Sequence, residues 1–290
     1  MKMKKHIWLA LPVCLIGALA SCGNSGFDAN RNISITVRED GSGTKSAFLE
    51  IIGLKGAADP EGAILATGTT AVLQEVASNP YAIAYESLGY VDDSVKMLTV
   101  DGAASTVANI KSGSYKISRP LNVIYKDADI KASTLYTDYL NFLGSKDAQD
   151  IVSNEGYCSI VDGATAYANA THLEGRIKIS GSTSLQPLMI KIAAAYKTVQ
   201  PDVVVEVSGG GSGTGYSDGE SGVSAFGMIS EEFNSAKAPN CTFYTVAKDG
   251  IAIIVNKENT LEDISKAQLA DIYNPEKTEA SITRWSDLIK

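Results

Sequence analysis

Arg38-Glu39-Asp40-Gly41-Ser42-Gly43-Thr44 follows an alternating apolar stretch, Ile33 to Val37, and precedes Lys45 to Ile52, where Phe48, Leu49 and Ile52 recur at helical spacing. The segment reads as strand, glycine-rich turn, helix. Two more turns repeat the pattern. Gly181-Ser182-Thr183-Ser184 lies between a strand at Ile177 to Ser180 and an apolar helix at Leu185 to Lys197. Gly211-Ser212-Gly213-Thr214 follows a strand at Val203 to Val207 that reads as buried. Each turn opens a helix, where unpaired backbone N–H groups and the positive end of the helix dipole face outward. Glycine lets a ligand approach the backbone, and Ser or Thr adds a hydroxyl. Each could cap its helix alone; three together, with Arg38 beside the first, point to an oxyanion site.

Outward from these turns the chain keeps alternating strand and helix. A helix is expected from Thr69-Thr70 through Val76, broken by Asn79-Pro80, then a short strand from Ala82 to Tyr85. Paired helical segments follow at Leu135 to Leu143 and Ala148 to Val152, and Ile251 to Val255 is the most apolar strand. Repeated βα units with polar turns at strand ends predict an α/β fold with ligand groups at the carboxyl ends of the strands. The 290 residues are 44% hydrophobic, enough for one large or two ordinary domains, and two lobes are expected.

Composition removes several functions. A formal charge of −8, with Lys+Arg 25 against Asp+Glu 33, lacks the clustered cations of a nucleic-acid groove. Lys2, Lys4 and Lys5 followed by the apolar run Ile7 to Ala20 read as a signal peptide, residues 1–22. Leu19-Ala20-Ser21-Cys22 resembles the lipobox of bacterial lipoproteins, which implies a lipid on Cys22 and a body on the outer face of the cell membrane. Residues 23–32 are expected to be a tether. Loss of those three lysines takes the charge from −8 to −11. Only His172 remains of the histidines after cleavage, so a zinc or His-pair site is not expected, nor is any cofactor. Cys158 and Cys241 are expected to be free, buried thiols. The turns lack the Gly-Lys-Ser/Thr ending of a P-loop. Gly215-Tyr216-Ser217-Asp218-Gly219 matches a hydrolase elbow, with His172 the sole candidate base, but His172 precedes the serine where that fold requires it to follow.

The first two turns, the second extended to Gly181-Ser182-Thr183-Ser184-Leu185-Gln186-Pro187, resemble the signature turns of the phosphate-binding proteins of bacterial phosphate ABC importers, and Gly209 to Gly215 is similar to the third. Tyr81 to Tyr85, Lys248 to Ala252 with Asn256, and Gln268-Leu269 followed by Trp285 add to the likeness. The order of segments is rotated relative to the more familiar members, as in a circular permutation that would be undone by joining Lys290 to Ile33; a piece of a longer tandem array is the alternative.

The resemblance implies a two-lobed periplasmic-binding-protein fold, type II and permuted, with hinge crossovers near Arg119 to Tyr125 and Ile251 to Lys257. Lobe A would be residues 33–120 plus 258–290 and lobe B residues 121–257. It implies a monomer, not an enzyme, that binds inorganic phosphate through Arg38, Ser42, Gly43, Thr44, Thr183, Ser184, Ser212 and Ser230 and hands it to importer permease subunits. Ser230-Glu231 stands where the family carries a Ser-Arg pair, and an Asp expected near Ala225 is missing. A cleft carboxylate that accepts phosphate's proton would then be Asp40 or Glu231; Glu231 could equally be a solvated residue. Sulfate, molybdate or tungstate is the alternative ligand, a serine hydrolase or a surface module without ligand the alternative class.

Overall fold

A computed structural model describes residues 26–168 and 171–289. In chain order its elements are β1 (Ser34–Arg38), α1 (Gly43–Ile51), β2 (Ile64–Ala66), α2 (Thr69–Ser78), β3 (Ala82–Ser87), β4 (Lys96–Val100), α3 (Val107–Ser112), β5 (Ser118–Tyr125), α4 (Asp127–Ala132), α5 (Thr134–Leu143), α6 (Lys146–Asn154), β6 (Glu174–Gly181), α7 (Gln186–Val199), β7 (Asp202–Gly209), α8 (Ser212–Ser221), β8 (Phe226–Ile229), β9 (Thr242–Val255), β10 (Asp263–Ile264) and α9 (Lys266–Tyr273). This is the α/β alternation the sequence predicts. Gly43 and Thr44 form the first turn of α1 rather than preceding it, because Ser42 is the N-cap and its Oγ accepts from the Lys45 N–H at 3.3 Å.

The main path of the sheet runs β2-β1-β3-β9-β5-β8-β6-β7, with β4 on β9 and β10 on β4. Its two halves pack separate cores. Phe48, Tyr85, Ile251, Tyr273 and Trp285 belong to one; Leu121, Tyr139, Ile179, Met189 and Val246 belong to the other. Among the described residues only β5 and β9 contribute to both halves of the sheet path, as an antiparallel pair with a register shift between Leu121 and Asn122. The chain leaves the first core at Ile117 and enters the second at Leu121; on β9 it returns between Ala247 and Ile251. The return therefore lies upstream of the crossover expected at Ile251 to Lys257, since that apolar run pairs with β3 and β4 inside the first core.

Three other expectations change. Val203 to Val207 is an edge strand paired only with β6, so Val203 is buried while Val204 is 42% exposed. The stretch expected to be a tether is docked from Phe27 on: its ring packs on Tyr81 and Trp285, and Ser286 N–H donates to the Ala29 carbonyl at 2.6 Å. Cys158 and Cys241 are both free, but only Cys158 is buried. The signal peptide and Cys22 lie outside the described residues. Among the described residues no helix is long and apolar enough to cross a membrane.

Helix α8 lies directly on the sheet because glycine faces glycine. A Cβ on Gly215 would stand 2.1 Å from the Met228 carbonyl oxygen, and one on Gly227 2.0 Å from the Gly215 carbonyl oxygen. Backbone on both sides leaves nothing to rotate away. Helix propensity alone would favour Gly215→Ala by up to about 1 kcal/mol. The close approach reverses the sign: we expect a loss of about 2 kcal/mol or more, read as a lower urea midpoint. An unchanged midpoint would contradict this packing.

Candidate functional site

Each hydroxyl-rich turn sits where a strand ends and a helix begins: β1 to α1, β6 to α7, β7 to α8. β6 and β7 end side by side, and the turn after β1, in the other half of the sheet, meets theirs across the junction. Gly213 N–H donates to the Gly41 carbonyl at 3.0 Å, and Thr44 Oγ1 and Ser184 Oγ share a hydrogen bond of 2.9 Å. Ser212 Oγ is 3.3 Å from Ser230 Oγ and accepts from the Ser230 N–H at 3.0 Å. Gly43 lies against both serines. All eight residues expected to form an oxyanion site, from Arg38 to Ser230, thus fall on these turns or at their rim. Ser42 also caps its helix, which leaves its own O–H free to donate.

Arg38 closes β1 with its side chain 1% exposed. Its Nε and Nη2 grip Glu39 at 2.9 and 3.0 Å, Nη2 also donates to Thr183 Oγ1 at 3.0 Å, and Nη1 stands 3.5 Å from Glu86. Burial by itself lowers the guanidinium's pKa, but the Glu39 hydrogen bonds and the charges of Glu86 and Glu39 raise it. For Glu39 burial pushes upward and Arg38 more than offsets it, so that carboxyl stays below its usual range. Thr183 Oγ1 accepts from Arg38 and, at 3.2 Å, from Thr69. With both lone pairs engaged, its hydroxyl has one hydrogen left to give.

Sequence reasoning missed Thr69, Glu39 and Glu86. Thr69 had a visible signal. Thr67-Gly68-Thr69-Thr70 joins β2 to α2 in the manner of the other turns, and Gly68 takes φ +81° as the N-cap, as Gly211 does with +85° before α8. The three-residue strand β2 conceals the pattern.

The two carboxylates expected in the cleft are placed otherwise. Asp40 has a fully exposed side chain bonded to Lys45 Nζ at 2.8 Å, which holds its carboxyl below the usual value. It lies in the turn beyond the end of β1, where strand alternation no longer sets the direction of its side chain. Glu231 is buried and accepts from Lys237 Nζ at 2.7 Å, so its charge is compensated on its own loop. Both line a crevice of about 820 Å³ with Ser42, Lys45, Asp59 and Lys237, beside the first turn. The hydrolase alternative fails as well: Ser217 is inside α8 rather than on an elbow, and His172 bonds Asp202 at 2.7 Å. Among the described residues no group of His, Cys, Asp and Glu is arranged to hold a metal ion.

Two sheet halves that share a strand pair, with oxyanion-type turns facing each other between them, define the architecture of a periplasmic binding protein. The model of the PBP superfamily domain matches residues 21–147 and 164–290. A phosphate-binding protein, PstS 2, of Streptococcus agalactiae serotype V is 38% identical over 302 residues, 99% of this chain and 100% of that protein. PstS 2 of Streptococcus pneumoniae serotype 4 is 34% identical over 300 residues, with the same coverage. The crystal structure of a phosphate-binding protein of a phosphate ABC transporter from S. pneumoniae superposes with a TM-score of 0.71 at 33% identity, covering 90% of this chain and 100% of that one. The chain belongs to this family of phosphate-binding transport proteins.

A Cβ on Gly43 would meet Ser212 Oγ at 2.2 Å and Ser230 Oγ at 2.7 Å, across the junction between the two halves. Gly43→Ala is expected to fold within about 1 kcal/mol of the parent, as a first-turn alanine should. It is also expected to hold the halves apart, seen as a larger radius of gyration in small-angle scattering. An equal radius would show that the contact does not limit closure.

Proposed function

We propose that this chain captures inorganic phosphate between two lobes outside the cytoplasm and delivers it to the permease subunits of an ABC importer, with no bond made or broken. The reading is carried by Thr183, whose hydroxyl is held by Arg38 and Thr69 from the first half while it belongs to the second. Lobe A is residues 33–120 together with the chain from about Gly250 on, and lobe B the segment between; this division follows the two cores. Arg38 offers the one guanidinium, and Ser42, Gly43, Thr44, Thr183, Ser184, Ser212 and Ser230 offer neutral donors. Because donors come from both lobes, an anion between them favours the closed arrangement. Helix N-termini at α1, α2 and α8 supply positive potential locally, so a net negative protein still binds an anion.

A monomer anchored through a lipid on Cys22 fits this role. So does a rotated segment order: Ile33 N–H donates to the Thr283 carbonyl at 2.9 Å, so the two ends of the folded body adjoin.

Isothermal titration at neutral pH is expected to give one phosphate per chain and little response to sulfate. Thr183→Val removes a hydroxyl donor to a charged ligand, worth about 1.5 to 3 kcal/mol, so phosphate should bind roughly 10- to 100-fold more weakly with the fold intact. Tighter binding of sulfate than phosphate would transfer the assignment to another oxyanion, and an unaltered Kd in the variant would remove Thr183 from the site.

A further inference from the structure

Behind the turns lies a buried chain of charges that phosphate capture as described above does not use. From Glu86 it runs along the strands that join the lobes. Glu86 Oε1 accepts from the Ser87 N–H at 2.7 Å, Ser87 Oγ donates to Asp249 at 2.8 Å, and Asp249 pairs with Arg119 at 3.2 Å. Arg119 and Asp249 stand opposite each other where β5 and β9 cross between cores, and Arg119 Nη1 donates to the Ser230 carbonyl at 3.0 Å.

Counting charges in this cluster gives three carboxylates, Glu39, Glu86 and Asp249, against two guanidiniums, Arg38 and Arg119. Arg38 is committed in bidentate fashion to Glu39, and Arg119 meets Asp249 through Nη2 alone. Glu86, with its side chain 0% exposed, is left one contact of 3.5 Å with a cation that another carboxylate already holds. The groups facing it are Arg38 on β1, Tyr85 beside it on β3, Arg119 on β5, Asp249 on β9 and Tyr157. Burial keeps both tyrosines neutral by raising their pKa values. The cluster thus carries one negative charge too many for a dry site, and a phosphate dianion at Arg38 would add two more.

We propose that Glu86 takes up a proton from solvent when the oxyanion binds, and so sets how capture depends on pH. The inference rests on the phosphate reading of the Arg38 site. The proton adds to one carboxylate oxygen of Glu86 and no other bond changes. Burial, only partly offset by Arg38, pushes this carboxyl to about 7, so it is poised to respond in the neutral range. A raised carboxyl stabilises the protein fully below its unfolded value, and that stability is lost as pH rises through about 7. A bound anion moves the loss to higher pH.

The test is phosphate titration calorimetry at pH 7.5 in two buffers of different ionisation enthalpy, on the parent and on Glu86→Gln. Phosphate's own ionisation is common to both proteins and cancels in the difference. The parent is expected to take up roughly half a proton more per phosphate than the variant. Equal proton uptake overturns the proposal while leaving the phosphate site in place; absence of phosphate binding by the parent overturns the phosphate reading and this inference with it. If Glu86→Gln does not fold, the parent labelled with carboxyl-13C glutamate gives the same answer by NMR. One glutamate titrating near neutrality and moving upward with phosphate is expected. Glutamates that all keep the ordinary range with and without phosphate overturn it.

Discussion

A guanidinium taken out of water must find anions or acceptors for its N–H groups, or the fold that buries it is unstable. Arg38 meets this requirement with Glu39 and Glu86 from its own lobe and with Thr183 from the other. Its last partner is available only when the lobes are together, so closure and satisfaction of Arg38 are one event. The same meeting of the halves sets Thr44 against Ser184, beside the Ser212 and Ser230 pair.

What lets two lobes meet at hydrogen-bond distance is the strand pair that joins them. β5 and β9 are hydrogen-bonded along their whole shared length, and the chain changes cores within a few residues on each. An antiparallel pair bends and twists more readily than a packed helix layer, and a register shift lies at Leu121/Asn122, beside the crossing. Arg119 and Asp249 face each other at the crossing itself, and Arg119 reaches the backbone of Ser230. The hinge and the ligand turns are therefore tied by direct contacts. On the far side, the glycine faces of α8 and β8 hold the third turn against the second with no side-chain play between them.

The proposed anion site sits in a chain of formal charge −8. Its positive potential comes from helix starts and one Arg, and the nearest carboxylates pair with that Arg or with lysines. Dipoles and hydroxyls act over a few ångströms, whereas the net charge of the chain is screened beyond about 10 Å at ordinary salt.

The turns themselves were legible in the sequence, because a strand period, a Gly-rich break and a helix period are local signals carried by neighbouring residues. So was the family likeness that rests on those motifs. Pairings that depend on strand order were not. Glu39 and Asp40 are adjacent and chemically alike, yet the turn after β1 sends one to Arg38 and the other to solvent. Glu86 looks like an ordinary polar residue after Tyr85 until β3 is laid beside β9 and buried on both faces. Val203 to Val207 reads as a core strand, but its place at the sheet edge is set by which strands lie between it and the middle. Backbone propensity is written residue by residue, whereas which charge meets which is settled only when segments far apart in the chain are stacked into one sheet.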